Sequence, residues 1–296
     1  MSIRRTSWRS WLNDSGCLRR AAVTLTVQQA LAQAAMLDSE TARLDAEILL
    51  SHAVDKPRTW LFTWPEALLS PEQAQCFSGL MRRRQAGEPV AYITGRRAFW
   101  NFDIRVDKSV LIPRPETELL VEVALRHLDR NASIADLGTG SGAIALAIAS
   151  ERTDSLVIAI DRSAQTLALA RANADELGLR NIEFRHGDWC RPLASAALDM
   201  VVSNPPYIAE GDPHLQQVDM RFEPRTALVA AGAVPRMSGG DLLNALAGGG
   251  GKSDAAFDKF IKSMAARPVN AINGATRIAL PMSVGSFAPE TIQRFA

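Results

Sequence analysis

From Thr24 to Gly87 apolar positions recur with a helical period, with Leu44, Ile48 and Leu49 on one stripe. Ser70-Pro71-Glu72-Gln73 is a helix start, a capping box with proline at the first helical position. The helix it predicts runs through Cys76, Leu80 and Met81 to Arg82, Arg83 and Arg84, and Gly87 closes it. A small helical bundle accounts for this region. The three arginines either complement the helix dipole and face solvent or offer a surface to an acidic or RNA-bound partner. Between Tyr92 and Pro115 the period shortens to two strand-like runs, Phe99 to Val106 and Val110 to Ile112, separated by Asp107-Lys108-Ser109. That pattern predicts a hairpin between two domains. Arg114-Pro115-Glu116-Thr117-Glu118 then leads into an amphipathic helix through Leu119, Leu120, Val123 and Leu128.

From Ile134 onward strands and helices alternate: strand Ile134 to Asp136, helix Ala143 to Ser150, strand Leu156 to Ile160, helix Ser163 to Leu177 stopped by Gly178, then strands Ile182 to Phe184 and Leu198 to Ser203. Alternation of this kind builds an α/β fold on a parallel sheet, with ligands outside the carboxyl ends of the strands. Leu198 to Ser203 is apolar on both faces and reads as a central strand. After Ala231 the pattern lapses into a glycine-rich stretch that includes Gly248 to Gly251, and only Arg277 to Leu280 is a fair strand. The last strong strand is therefore expected to lie uncovered at the sheet edge.

At 296 residues, 47% hydrophobic and 22% charged, the chain is too apolar for disorder and long enough for one large domain and a smaller one. A net charge of +1 is not the footprint of a protein whose main partner is a long nucleic acid. The three cysteines, Cys17, Cys76 and Cys190, have no CxxC spacing, so neither a disulfide framework nor a zinc site is expected and a reducing cytoplasm fits. Apolar runs such as Ala143 to Ala149 fall far short of the roughly 18 residues that a membrane-spanning helix needs. Residues 1–23 carry Arg4, Arg5, Arg9, Arg19 and Arg20 against the single acid Asp14 and read as a disordered extension, an organellar transit peptide being the other reading.

The chemistry concentrates at the predicted strand ends. Asp136-Leu137-Gly138-Thr139-Gly140-Ser141-Gly142-Ala143 joins a strand to a helix, and its glycines admit a ligand close to the backbone. Gly138-x-Gly140-x-x-Ala143 also satisfies the dinucleotide fingerprint, so this stretch does not separate a nicotinamide cofactor from S-adenosyl-L-methionine. Asp161 stands where a carboxylate can accept from both ribose hydroxyls. Asp188-Trp189 offers a carboxylate for an adenine amino group and an indole for its ring face; a plain core aromatic is the other reading of Trp189. Ser203-Asn204-Pro205-Pro206-Tyr207 ends a strand in a rigid loop. There the Asn204 side-chain oxygen and the Pro205 carbonyl can accept both hydrogens of one planar NH2 group, an amide or an exocyclic base amine, while Tyr207 stacks on it. Both hydrogens held in this way turn the nitrogen's π face toward a methyl sulfonium.

Together the helical region, the hairpin with Ile112-Pro113-Arg114-Pro115-Glu116-Thr117-Glu118, the loop from Asp136 to Ala143, Asp161, Asp188-Trp189 and Asn204-Pro205-Pro206-Tyr207 resemble the release factor glutamine methyltransferases, from Thr24 to Ala231. Adenine-specific DNA methyltransferases share the Asn-Pro-Pro-Tyr motif but not the helical domain or the Pro-Arg-Pro-Glu-Thr-Glu segment. The resemblance implies a Rossmann-like S-adenosylmethionine-dependent methyltransferase sheet with a small N-terminal helical bundle. It implies a cofactor, S-adenosyl-L-methionine, held by Gly138, Thr139, Gly140, Ser141, Gly142, Asp161, Asp188, Trp189 and Asn204. The glutamine amide of a release factor's Gly-Gly-Gln loop would be held by Asn204, Pro205, Pro206 and Tyr207, with Arg114 and Glu116 bracing the rim. No metal, membrane or direct nucleic-acid partner is expected. The implied domains are an extension at 1–23, a release-factor-binding helical domain at 24–90, a hairpin linker at 91–115, a methyltransferase domain at 116–231 and an atypical tail at 232–296. Two other readings follow from the same residues: a cofactor-binding remnant without turnover, and an adenine-specific DNA methyltransferase.

Overall fold

The computed structural model describes residues 25–189, 191–193, 198–206, 215, 220–229 and the backbone of 277–279. The expected extension at 1–23, Cys17, Cys190, Tyr207 and most of the tail lie outside the described residues. The chain divides into two compact units, with the break between Gln85 and Ala86.

The first unit holds α1 (Val27–Ala32), α2 (Ala42–Val54), α3 (Arg58–Thr63) and α4 (Pro71–Gln85). The capping box at α4 forms as its sequence requires: Ser70 Oγ accepts from the Gln73 amide at 3.2 Å, and Gln73 Oε1 accepts from the Ser70 amide at 2.9 Å. A second box, Thr26 with Gln29, opens α1. The buried stripe of α2 is Ala46, Leu49 and Leu50, one position round from the expected one, and Leu44 is exposed. Those three pack with Val27, Leu31, Leu61, Phe77 and Met81 as the core of this unit. The arginine cluster does not all face solvent. Arg84 turns inward, its side chain 10% exposed, and donates through Nε to Asp45 Oδ2 at 2.8 Å; Asp45 also accepts from Ser39 and Thr41. A shielded carboxylate so close demanded a guanidinium, and this tertiary demand overrode the surface reading.

The second unit begins with α5 (Val90–Thr94) and a tight antiparallel hairpin, β1 (Arg96–Phe99) and β2 (Phe102–Arg105). Its turn is Trp100-Asn101, not the expected Asp107-Lys108-Ser109, which instead folds back on itself through bonds from Ser109 to Asp107. Trp100 sits at φ 55°, a conformation a bulky residue rarely adopts. Tertiary bonds hold it there: its amide donates to Glu118 Oε1 and its indole N–H to Glu151 Oε1, each at 2.8 Å. After α6 (Glu116–His127), β3 (Ser133–Leu137), α7 (Ala143–Glu151), β4 (Leu156–Asp161), α8 (Ala164–Leu177), β5 (Ile182–His186), β6 (Met200–Ser203), α9 (Arg225–Leu228) and β7 (Arg277–Ala279) complete the unit. Ser163 caps α8 and Gly178, at φ 71°, ends it. The buried face of α6 is Thr117, Leu120, Val121 and Ala124, while Leu119 is exposed.

The sheet is parallel throughout, in the order β5-β4-β3-β6-β7. All four residues of β6 are buried, as its two-faced apolar character predicts. It is not the sheet edge, however. Arg277–Ala279 pairs with it in parallel, Met200 opposite Arg277 and Val202 opposite Ala279, so the stretch with the best strand propensity of its region supplies the missing neighbour. Residues Ala143 to Ala149 of α7 are all buried, and this helix is apolar all round because the sheet covers one side and α6 the other. The winding reverses between β3 and β6, which opens a crevice at their carboxyl ends.

Candidate active site

The glycine loop leaves β3 and turns through three left-handed glycines, Gly138 at φ 73°, Gly140 at 57° and Gly142 at 87°. They serve different ends. A Cβ on Gly138 would meet nothing within 4 Å, and one on Gly140 only the Gly138 carbonyl at 4.0 Å, so both would project into an open cradle. A Cβ on Gly142 would press on Ala170 at 3.2 Å and Leu146 at 3.3 Å. Gly142 is thus the packing glycine of the loop, and it is the one residue of the five that does not line the cleft. The loop amides are already engaged: Gly138 and Thr139 donate to Ile160 O, Gly142 to Thr139 O, and Gly140 to Asp161 Oδ2 at 3.1 Å.

Beneath the loop Asp136 is fully buried. Its Oδ2 accepts from the Thr139 hydroxyl at 2.6 Å, and its Oδ1 meets no hydrogen-bond donor within bonding distance. Burial pushes its carboxyl up to about 7; the Thr139 hydroxyl and the Ala145 amide oppose the shift and the nearby Asp161 charge adds to it. Asp161, at the end of β4, spends one oxygen on Gly140 and the other on the Ser163 amide at 2.9 Å. Each oxygen keeps a further lone pair for a ligand.

One cleft joins the sequence-predicted residues. Gly138, Thr139, Gly140, Ser141, Asp161, Asp188, Trp189, Asn204, Pro205 and Pro206 all line it, together with Ser109, Val110, Leu111, Pro113 and Thr117 on one wall and Arg162, Ser163, Thr226 and Ala227 on another. Trp189 answers to both of its readings. Its ring packs on the cluster of Leu137, Ile160, Leu193 and Val201 and also faces the cleft, held at φ 51°. Gly187 beside it was not singled out by sequence, yet a Cβ there would stand 2.3 Å from Pro192 Cγ. At the end of β6, Ser203 Oγ donates to Leu137 O at 2.8 Å and locks the two strand ends together. Asn204 follows, and its Nδ2 donates to Thr117 Oγ1 at 3.3 Å.

The rim residues divide. Arg114 donates from Nη2 to both oxygens of Glu223 at 2.8 and 2.9 Å, which anchors the segment leading to Thr226 and Ala227. Arg97 donates to Pro113 O and the Tyr92 hydroxyl to Val110 O, bracing the loop opposite. Burial, with the Glu223 charge adding to it, raises the Tyr92 phenol above its ordinary value and keeps it neutral. Glu116 is exposed and holds none of these groups; the next two residues, Thr117 and Glu118, do the bracing instead. Thr117, Gly187, Arg162 and Glu223 were missed by sequence reasoning because each acts through a partner distant in the chain or through the space around it.

The PrmC N-terminal domain family matches residues 26–95, and the methyltransferase small domain family matches residues 115–233. A release factor glutamine methyltransferase of Aliivibrio fischeri is 49% identical over 221 residues, 74% of this chain and 75% of the relative. Those of Xylella fastidiosa and Escherichia coli are each 52% identical, over 206 and 194 residues, covering 69% and 65% of this chain and 72% and 70% of the relatives. The chain belongs to the release factor glutamine methyltransferase family. Membership in that family settles the ambiguity the glycine loop left in the sequence, and the geometry agrees with it. Loop amides already bonded to Ile160 and Asp161 make a poor cradle for a pyrophosphate. Asp161 and Asp188 line the cleft and put two acidic side chains beside a ligand, which suits a cationic one. The open cradle over Gly138 and Gly140 and the acidic side chains on the cleft wall therefore fit S-adenosyl-L-methionine, whose sulfonium and ammonium groups are positive. Among the described residues no helix is long and apolar enough to cross a membrane, and no cluster could hold a metal ion.

Proposed function

We propose that this chain methylates the side-chain amide nitrogen of a glutamine in peptide chain release factors, acting in the cytoplasm on the machinery of translation termination. The observation that carries this reading is the meeting of Asn204-Pro205-Pro206 and the glycine loop in one cleft, at the adjoining carboxyl ends of β6 and β3. Bound S-adenosyl-L-methionine supplies an electrophilic methyl group. Gly138 and Gly140 admit it close to the backbone, Asp161 accepts from its ribose hydroxyls, Asp188 accepts from its adenine amino group and the Trp189 ring covers the base. Thr139 and Ser141 complete the wall of that pocket.

Asn204 Oδ1 and the Pro205 carbonyl accept the two hydrogens of the glutamine NH2 group, and Pro206 keeps the loop that carries them rigid. Tyr207 is proposed to flatten the amide by stacking. Fixing both N–H bonds in one plane turns the face of the amide, where the nitrogen's π electrons lie perpendicular to that plane, toward the methyl carbon. Orientation of this kind is worth several of the roughly 7–11 kcal/mol available from positioning. As the new N–C bond formed, the S–CH3 bond would break with its electron pair left on sulfur as S-adenosyl-L-homocysteine, and the nitrogen would lose to water one of the two protons that Asn204 Oδ1 and the Pro205 carbonyl hold. The glutamine is proposed to be that of the Gly-Gly-Gln loop, whose small neighbours let it reach a recessed cleft.

The first unit is proposed to grip the body of the release factor. Its exposed Met36, Phe62, Trp64 and Leu68 are apolar side chains of the kind that anchor protein partners. The test is mass spectrometry of a purified release factor after incubation with this chain and S-adenosyl-L-methionine. A gain of one methyl group on the glutamine of its Gly-Gly-Gln motif is expected. Cofactor binding in calorimetry with no methyl transfer would identify a binding protein instead, and a methylated DNA adenine in place of the glutamine would overturn the substrate.

A further inference from the structure

We infer that Thr117 is a positioning residue for the reaction, its hydroxyl accepting the side-chain NH2 of Asn204 and thereby holding the Asn204 oxygen toward the substrate amide. The inference rests on the amide-clamp reading of Asn204. Thr117 is the second residue of α6, buried, and it lines the cleft beside Asn204 although 87 residues separate the two in sequence. Its own amide donates to Arg114 O at 3.0 Å, and Arg114 is fixed in turn by Glu223, so the hydroxyl is carried on a backbone that is pinned from two sides.

A primary amide presents an acceptor on one edge and two donors on the other, and a half-turn about its last torsion exchanges them. A substrate glutamine that offers only N–H groups requires the acceptor edge of Asn204. With the edges exchanged, donor would face donor and the clamp would not form. Among the described residues Asn204 has one side-chain partner, Thr117 Oγ1. A hydroxyl can accept or donate, so Thr117 tolerates either orientation in the free protein. Once Asn204 Oδ1 is taken by the substrate, the Asn204 NH2 needs an acceptor behind it, and among the described residues Thr117 Oγ1 is the one in reach. Without that acceptor the productive orientation leaves a half-buried donor unsatisfied, and the opposite orientation gains population.

The test compares Thr117→Val, which keeps the shape and removes the hydroxyl, with Thr117→Ser, which keeps the hydroxyl. Turnover on a release factor should fall by up to about 100-fold in the valine variant. Its cofactor dissociation constant by calorimetry should change far less than its turnover, its melting temperature should stay at the wild-type value, and the serine variant should recover most of the turnover. Should valine lower the melting temperature, Thr117→Ala removes the hydroxyl without its branched bulk and replaces it in the comparison. Adding Asn204→Ala to either hydroxyl-free variant should cost no more than Asn204→Ala alone, because both changes act on one group. Wild-type turnover in a folded hydroxyl-free variant, a serine variant as slow as valine, or additive losses in the double variant would each overturn the inference. An Asn204→Ala variant that still turns over would bring down the clamp reading itself, which separates the two failures.

Discussion

Arg114 and Glu223 lie 109 residues apart in the chain and meet through one guanidinium nitrogen that reaches both carboxylate oxygens, with the Glu223 side chain wholly shielded from solvent and that of Arg114 28% exposed. The two ends of this pair are therefore not equivalent. Removing the cation takes the guanidinium away from a carboxylate that water does not reach, whereas removing the anion leaves a charge that water can reach.

Arg114→Ala should lower stability by about 2 kcal/mol, below the usual cost of breaking a fully buried pair because Arg114 is partly solvated. For a chain of this size that is a fall of about 4–8 °C in melting temperature. Glu223→Gln should cost clearly less. Calorimetric melting of the two variants checks the asymmetry, and equal losses would show that the pair is not the main anchor of this segment.

Alanine at two glycines of one loop should give opposite outcomes. Gly138→Ala points its methyl into the open cradle, so cofactor affinity should fall by more than tenfold with only the modest stability loss of a left-handed alanine, about 1–2 kcal/mol. Gly142→Ala adds contacts at 3.2 and 3.3 Å to Ala170 and Leu146 on top of the same backbone strain, and the melting temperature should drop further. Calorimetric titration and thermal melting together separate the two glycines.

Asp136 gives the folded chain a distinctive dependence on pH. Its carboxyl titrates at about 7 in the fold against an ordinary value of 3.8. Between those values the folded chain keeps a proton that the unfolded chain has released, so stability falls as pH rises through the window and levels off above about 7. At about 1.4 kcal/mol per unit the effect reaches up to about 4 kcal/mol. Asp136→Asn should flatten this slope, so that the melting temperature of the variant gains on the wild type between pH 4.5 and 7.5. Saturating S-adenosyl-L-methionine should flatten the wild-type slope as well, by setting positive charge against the carboxylate. A difference between variant and wild type that does not change with pH would refute the assignment.

Asp161→Ala should weaken cofactor binding by at least about 100-fold, since it removes acceptors for two ribose hydroxyls worth about 1.5–3 kcal/mol each and releases the Gly140 and Ser163 amides. Isothermal titration measures it directly. An unchanged dissociation constant would place the ribose elsewhere.

What could be read from the sequence was whatever depends on near neighbours. Ser70 with Gln73, Ser163 and Gly178 each at its own end of α8, and the glycine loop all act on residues a few places away, and each formed as written. The failures share the opposite property. Nothing local marks Trp100 as a turn residue; Glu118 and Glu151 make it one. Arg84 resembled its exposed neighbours until Asp45, 39 residues earlier, drew it inward. Thr117 and Glu223 acquire their roles only when α6 is laid beside the end of β6. The uncovered edge expected at β6 was wrong for a related reason: strand pairing is decided across the sheet, and three residues of Arg277–Ala279 were enough to alter it.

The short run from Arg114 to Glu118 touches three places at once: Glu223 through Arg114, Asn204 through Thr117 and the hairpin turn at Trp100 through Glu118. The catalytic motif is consequently not a portable cassette. Grafting Asn-Pro-Pro-Tyr onto the corresponding strand of an unrelated methyltransferase would transfer the letters of the site without the brace behind it. An engineer seeking the activity in a new host would have to move the two segments as one component, with the turn at Trp100 as the third attachment point.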